Sequence, residues 1–331
     1  QPQAFGVPPP PHDDGSVLIS SNKTGIFNAY RIPTAGGAAQ PLTQSQDNSV
    51  FVISFFPQDK RILYSSDKGG NEIFHLYLRE EDGRIRDLTP NDTARATFEG
   101  WAYDEQSFFY SSNARNLRFM DVYEMELATF TPKLVYQNDA GYDLGAVSPD
   151  ERYFAFGKSI TTNNSEMYLY DRQTQTLKHL SKHEGDAQFS AQAFGVDSKS
   201  LYFTTDEGSE FAYLKRYALA TGKFETVETA KWDVMYAYFS RTGRYRVLAI
   251  NNDANTEIKI LDTKNNKLVK LPELPNGEIT SVGISRSEKL MAFYVNGSSA
   301  PNNLYVYDFA TQSYSKLTDT MVSIEGENMR P

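Results

Sequence analysis

The stretch SPDERYFAF (148–156) reads as a tight turn, Ser148-Pro149-Asp150, running straight into a short apolar strand. Proline presets φ for a turn, and Ser and Asp bond turn backbone. Variants of this phrase return along the whole chain. Anchored on Asp150, equivalent turns fall at Asp13 (HDDGSVLISS), Gln58 (PQDKRILYSS), Asp104 (YDEQSFFYSS), Asp197 (VDSKSLYFTT), Thr242 (RTGRYRVLAI) and Ser287 (RSEKLMAFYV). Successive anchors lie about 45 to 47 residues apart, so the sequence is built of seven copies of one structural unit.

Each copy has the same internal order. An apolar strand precedes the turn, as in VFVISFF (50–56) and DVMYAYF (233–239), and a second strand follows it. A polar loop leads to a third strand rich in Tyr and Leu: EIFHLYL (72–78), EMYLYD (166–171), NLYVYD (303–308). A tight turn such as TAGG (34–37), EEDG (80–83), ATGK (220–223) or KNNK (264–267) comes next. A short last strand closes the copy: QPLT (40–43), RDLT (86–89), KHLS (178–181), SKLT (315–318). Aromatic and β-branched runs between Gly, Asn, Asp and Ser turns are antiparallel strands, and no segment carries a sustained helical period. Four strands per copy and seven copies predict an all-β, seven-bladed β-propeller. Gly100, Gly145, Ala146, Ala191, Ala237 and Gly283 fall in the first strands, as expected where strands converge on a crowded axis. A β-sandwich or solenoid is the competing architecture.

The expected organisation is an extension at 1–12, the propeller at 13–319, with blades starting near 13, 50, 97, 142, 189, 233 and 278, and a tail at 320–331. The four prolines 8–11 make a poor inner strand for the first blade, because they lack N–H groups. One further period points to TMVSIEGE (320–327) as a ring-closing strand, with a simple tail as the alternative.

Bulk properties narrow the function. The chain has 331 residues, 23% of them charged, with 21 Tyr and 21 Phe, as in a packed globular protein. Its net charge of −9 argues against nucleic acid, whose phosphates call for Lys/Arg clusters. No apolar run is long enough for a membrane span. Cysteine is absent, which excludes disulfides, thiolate metal sites and a Cys nucleophile. The chain starts at Gln1 without Met, as a processed or trimmed polypeptide does; a periplasmic or secreted location is expected, with the cytoplasm as the alternative.

The repeat resembles the TolB-like, WD-like propeller unit. More specifically, LISSNKTGIFNAYRIPTAGGAAQPLT (18–43), RILYSSDKGGNEIFHLYLRE (61–80), SSNARNLRFMDVYEM (111–125) and KWDVMYAYFSRTGRYRV (231–247) resemble the N-terminal propeller of prolyl oligopeptidase family serine peptidases, in their acylaminoacyl- and dipeptidyl-peptidase-like bacterial branch. The resemblance covers about residues 15–319. It implies a propeller that covers an α/β-hydrolase domain and admits short peptides, with the hydrolase as partner and no nucleic-acid or membrane partner. No G-x-S-x-G is present, so no nucleophile elbow or catalytic residue is assigned, and the chain alone is expected to be inactive. The ending MVSIEGENMRP does not match the family's crossing into the hydrolase domain. A free-standing TolB-like scaffold for protein partners is the alternative function.

The third-blade loop NARNLRFMD holds the candidate substrate-binding residues Arg115 and Arg118, with Asn113 and Phe119 shaping the loop. In an antiparallel blade this loop opens at the same end as the links between blades. A guanidinium there can pair bidentately with a peptide carboxylate or carbonyl. The competing reading is surface arginines or a domain-interface salt bridge. Loops 66–72, 158–166, 205–210 and 296–302 are expected at the same end. Glu80–Glu81 resemble the paired acids that hold a substrate amine in dipeptidyl peptidases, yet lie in the turn REEDGR. His12, His75, His179 and His183 make no convincing metal set of the kind found in pectate-degrading propeller lyases, so neither metal nor other cofactor is expected. Trp101 and Trp232 are expected to fill core.

Overall fold

The computed structural model describes residues 14–253, 255–274, 277–297 and 300–319. It contains strands, turns and no helix among the described residues. The first sheet comprises β1 (Ser16–Ser21), β2 (Asn28–Pro33) and β3 (Gln40–Pro41); the second β4 (Val50–Phe55), β5 (Ile62–Ser66), β6 (His75–Arg79) and β7 (Ile85–Asp87). The third has β8 (Ala96–Trp101), β9 (Ser107–Ser112), β10 (Asp121–Glu126) and β11 (Pro132–Tyr136); the fourth β12 (Asp143–Val147), β13 (Tyr153–Thr161), β14 (Asn164–Asp171) and β15 (Thr176–His179). The fifth has β16 (Phe189–Phe194), β17 (Ser200–Thr205), β18 (Tyr213–Ala218) and β19 (Phe224–Glu228); the sixth β20 (Asp233–Phe239), β21 (Tyr245–Asn252), β22 (Asn255–Asp262) and β23 (Lys267–Leu268). The seventh has β24 (Glu278–Ile284), β25 (Leu290–Gly297), β26 (Ala300–Asp308) and β27 (Ser313–Lys316). Within each sheet every strand pairs antiparallel with the one before or after it in sequence, which makes the fold the seven-bladed β-propeller that the repeat predicts.

The repeated phrase is a built turn. Ser148 Oγ accepts the Tyr153 amide at 2.8 Å and donates to Asp150 Oδ1 at 2.5 Å, while the Glu151 amide bonds the Ser148 carbonyl at 2.8 Å. Ser240 and Ser285 accept the Tyr245 and Leu290 amides in the same way, at 2.9 and 3.2 Å. The residue after the anchor takes positive φ in six of the seven copies, at Asp14, Glu105, Glu151, Ser198, Gly243 and Glu288. At Gly243 a Cβ would also lie 2.8 Å from Val196 Cγ2, so space and backbone both call for glycine.

In four copies the closing Thr or Ser has a parallel task. Thr43, Thr89, Ser181 and Thr318 accept the amides of Ala29, Leu76, Met167 and Leu304 at 2.9, 2.9, 2.7 and 2.8 Å. They pair backbone groups of the third strand where the short fourth strand runs out.

The chain packs as two compact units, Ala96–Val269 and the pair Gln1–Arg95 with Lys270–Pro331. In the second of these, Leu18 and Ala29 pack on Val50, Val52, Phe55 and Ile62, while Val17 and Ile32 pack on Ala292 and Leu304 of the last blade. Ser287 Oγ donates to Asp14 Oδ2 at 2.5 Å across that seam. The first and last blades are therefore joined, with three strands in the first blade among the described residues. The proposed closing strand at 320–327 lies outside the described residues. In the Ala96–Val269 unit, Phe109 and Val122 meet Phe154 and Phe156, Ala155 and Met167 meet Leu201 and Phe203, and Leu214 meets Val234, Leu248 and Ile250.

Two features differ from expectation. The stretches 158–166 and 296–302 are not open loops. β13 and β14 stay paired out to Thr161–Asn164, and β25 and β26 to Gly297–Ala300. The β-branched run Ile160-Thr161 suits an extended hairpin. Each inner strand of blades two to seven also carries a β-bulge, with the pairing slipping at Val52/Ser54, Phe98/Gly100, Leu144/Ala146, Ala191/Ala193, Val234/Tyr236 and Ile279/Ser281. Bulges bend a strand and increase its twist, as a strand at a crowded axis requires. A Cβ on Gly145 would sit 3.0 Å from Ala191 Cβ, so β12 and β16 approach as closely as small residues allow.

Ser148 is buried, and its hydroxyl holds a strand amide. Ser148→Ala is expected to lower stability by about 1–2 kcal/mol in urea unfolding, the cost of an orphaned buried N–H; an unchanged midpoint would show that the hydroxyl contributes nothing.

Candidate functional site

The loop between β9 and β10 is fastened from below. Asp121, the first residue of β10, is fully buried. Its carboxylate accepts Arg115 Nε at 2.7 Å, Arg115 Nη2 at 2.9 Å and the Asn138 amide at 2.7 Å. Arg115 Nη2 also donates to the Asn138 carbonyl at 3.1 Å and to Asp139 Oδ1 at 2.8 Å. Asn138, itself buried, donates from Nδ2 to the carbonyls of Met120 and Tyr142 at 2.9 and 2.6 Å, and accepts the Tyr142 amide at 3.1 Å. Hydrogen bonding to Asp121 holds the Arg115 guanidinium above its already high range. Bonds from Gln137 and then Arg115 hold the Asp139 carboxyl below the usual carboxylate range.

This knot separates the two candidate arginines. Arg115 is committed to two carboxylates and a carbonyl. Arg118 is exposed, with its guanidinium 5.5 Å from the Phe119 ring centroid, and no carboxylate pairs with it among the described residues. Asn113 Nδ2 donates to the Leu117 carbonyl at 3.2 Å, and the Phe119 amide bonds the Asn116 carbonyl at 3.0 Å, which curls the loop. Phe119 lies over Gly141, whose Cβ position is 3.7 Å from Phe119 Cε1. The loop tip thus presents Leu117, 63% exposed, beside Arg118. The same end of the next blade presents Ile160, 49% exposed.

The remaining candidates fall elsewhere. Glu80 and Glu81 sit in a hairpin turn, where Glu81 Oε1 accepts the Lys60 amide at 3.2 Å, beside the exposed Asp82–Arg84 pair. His75 is buried and pairs through Nδ1 with Asp87 Oδ2 at 2.7 Å. His179 stacks on Tyr168, with 4.6 Å between centroids. His183 donates from Nδ1 to the Ser181 carbonyl at 2.6 Å, and its Nε2 lies 3.0 Å from Asn164 Oδ1. His12 lies outside the described residues. Among the described residues no group of three His, Asp or Glu is arranged to hold a metal. Trp101 packs on Phe98 and Phe108, and Trp232 on Phe211, as expected of core-filling side chains.

One residue escaped the sequence reading. Glu99 occupies the bulge of β8, on the inner edge of its blade. Water reaches its side chain, yet protein crowds it closely, and this crowding pushes its carboxyl up to about 7; Asp143 adds to the rise and a bond from Ser111 opposes it. Aligning the copies would have placed Glu99 with Gly145, Gln192 and Met235 at one structural position, and only there does an acidic residue stand.

These features define a β-propeller domain whose loop end carries a braced, cation-bearing loop. The model described as prolyl oligopeptidase, N-terminal beta-propeller domain, matches residues 42–320, and the chain belongs to that family. It is 25% identical over 316 residues to dipeptidyl aminopeptidase BIII of Pseudoxanthomonas mexicana, across 93% of this chain and 45% of that protein. Among solved structures it resembles a prolyl endopeptidase, with a TM-score of 0.72 and 14% identity over 95% of this chain and 49% of that one. It also resembles TolB from Acinetobacter baumannii, with a TM-score of 0.57 and 16% identity over 92% of this chain and 79% of that one. The structural likenesses speak to fold alone. The chain spans about half the length of the peptidases it matches.

Removing one side of a buried charge knot is costly, so Asp121→Ala is expected to cost about 3 kcal/mol in urea unfolding, whereas Arg118→Ala leaves the midpoint unchanged. Equal effects would show that the two arginines are not distinguished as described. For Glu99, a folded-state value above the unfolded 4.5 means that the native chain binds the extra proton between about 4.5 and 7. Stability from this group is present below that window and is lost as pH rises through it. Glu99→Gln is therefore expected to match the parent at pH 4 and exceed it at pH 8 by about 1 kcal/mol, the shift being discounted for solvent access. Parallel stability–pH curves would contradict this.

Proposed function

We propose that this chain is the gating propeller of a serine peptidase, passing short peptides to an α/β-hydrolase catalytic domain that carries the nucleophile. The observation that carries this reading is the family match across residues 42–320, since fold alone does not fix function. The loop end of blades three and four supports it. Leu117 and Ile160 give exposed apolar surface for a docked domain, and Arg118 stands free of carboxylates among the described residues on a loop that Arg115 makes rigid. In this reading Arg118 meets the carboxylate or a carbonyl of an entering peptide. Arg115 holds the loop, and Asn113 and Phe119 set its curl. Peptide contact makes no demand on a metal or other cofactor.

The purified chain is expected to bind short peptides weakly in calorimetry and to hydrolyse neither aminoacyl nor acylpeptide chromogenic substrates. Arg118→Ala, or amidation of the peptide C-terminus, is expected to weaken binding at least about threefold through loss of a charge-assisted pair. Hydrolysis by the chain itself, blocked by a serine-directed inhibitor, would overturn the proposal. Capture of a protein partner with no peptide affinity would move the reading to a TolB-like scaffold.

A further inference from the structure

Blades three and six are not sheet neighbours. Within the Ala96–Val269 unit, blade three packs on four, four on five, and five on six. Yet the first turns of blades three and six touch. The Arg241 guanidinium carbon lies 3.7 Å from the centroid of the Tyr103 ring. Arg241 Nη2 donates to the Tyr103 carbonyl and lies 3.2 Å from Glu105 Oε1. Tyr103 OH donates in return to the Arg241 carbonyl at 3.1 Å. Two turns 138 residues apart thus exchange side-chain-to-backbone bonds, a ring stack and an ion pair.

The strands between these turns change in character along their length. At their loop ends exposed and buried residues alternate, with Asp143, Ser190 and Met235 exposed and Phe189 and Val234 buried; at their turn ends Val147 and Phe239 are half-buried and Phe194 is buried. At the turn end of this four-blade arc no inner-strand terminal residue is exposed among Val147, Phe194 and Phe239. The Tyr103–Arg241 contact lies at this turn end.

We propose that Tyr103, Arg241 and Glu105 form a releasable strap, a latch that ties blade three to blade six and covers the turn end of the arc's inner edge. Arginine suits the task, because a planar guanidinium stacks on the ring while its edge serves a carbonyl and a carboxylate together. Its contacts are side-chain and near-surface, so they separate without unfolding a sheet. The ring stack, the bond to the Tyr103 carbonyl and the ion pair share one guanidinium, and the Tyr103 hydroxyl bond shares the stacked ring, so the contacts release as one and give the arc two discrete states, strapped and open. Latching is a property of the fold and does not rest on the peptide-gating reading.

The chain has no cysteine, so paired spin labels can be placed without background. Gln106→Cys and Lys264→Cys put labels on exposed turn positions of blades three and six. Pulsed electron paramagnetic resonance on this labelled chain is expected to give one narrow distance distribution. Arg241→Ala or Tyr103→Ala is expected to broaden it and move its mean by more than about 2 Å, with circular dichroism unchanged. The double variant is expected to move it at least as far as either single one, because each single change leaves a bond to the other turn's backbone in place. Arg241→Lys, which keeps the charge and loses the planar fork, tests the strap if an alanine variant fails to fold. An unchanged distribution in every folded variant of Tyr103 and Arg241 would overturn the proposal.

Discussion

Burial of both faces of each blade is the constraint from which the rest of the structure follows. A sheet with one apolar face needs one partner layer; a sheet with two needs a neighbour on each side. Val17 and Leu18 are adjacent and both are buried, one against Ala292 and Leu304 and the other against Val50 and Ile62. In β9 every residue is buried. A fully buried Leu or Phe contributes about 1.5–3 kcal/mol, so an unpartnered blade face would forfeit several such contributions. A row of blades ends without loss only when its last member meets its first. The Val17–Ala292 seam and the Ser287–Asp14 bond are the form that this takes here.

Burying both faces places a polar demand at the blade edges. The third strand runs further than the short fourth strand can pair, so its leading backbone groups need partners. Thr43, Thr89, Ser181 and Thr318 supply hydroxyls. Beside them stand buried polar side chains near the start of the third strand: Asn28 bonded to Thr43 and Ser45, His75 to Asp87, Asn303 to Thr318, and Asp121 to Asn138. In this light the Arg115 knot is the third blade's version of a tie found in several blades. Asp121 places a negative charge at that position, and Arg115 is the cation that keeps it from being buried unpaired. The arginine resembling a substrate ligand is thus held by a demand of the fold.

How much was legible in sequence follows from the range of each interaction. The turn at Ser148 is local, with donor and acceptor within five residues, and its repetition revealed the blade count. The small inner-strand residues were legible because Gly145 and Ala191 answer to one crowded axis. The bulges were not, because a slip between Leu144 and Ala146 is a property of pairing with β13 rather than of β12 alone. Glu99 stayed hidden for the same reason. The loop 158–166 was misread because its Asn and Ser residues signal a turn, while Lys158–Glu166 and Ser159–Ser165 pairing carries the strands past them. The Tyr103–Arg241 contact joins turns of blades that do not adjoin, and no feature of a regular repeat encodes it.

In the proposed reading, the placing of Arg115 and Arg118 on one loop lets a demand of folding serve a surface. A surface loop bearing a free arginine would ordinarily lose backbone and side-chain freedom on meeting a ligand, a cost of about 1–2 kcal/mol for each residue ordered. Arg115 removes much of that freedom in advance, since it bonds the strand start at Asp121 and the link at Asn138 and Asp139 simultaneously. Asn113 and the Asn116–Phe119 turn then fix the tip. Arg118 rests above Phe119, exposed but with its backbone already set. A cation on a braced loop discriminates by position as well as by charge, because the loop cannot shift to reach a misplaced carboxylate. The internal arginine, which contacts no ligand in this reading, is therefore what would make the external one selective.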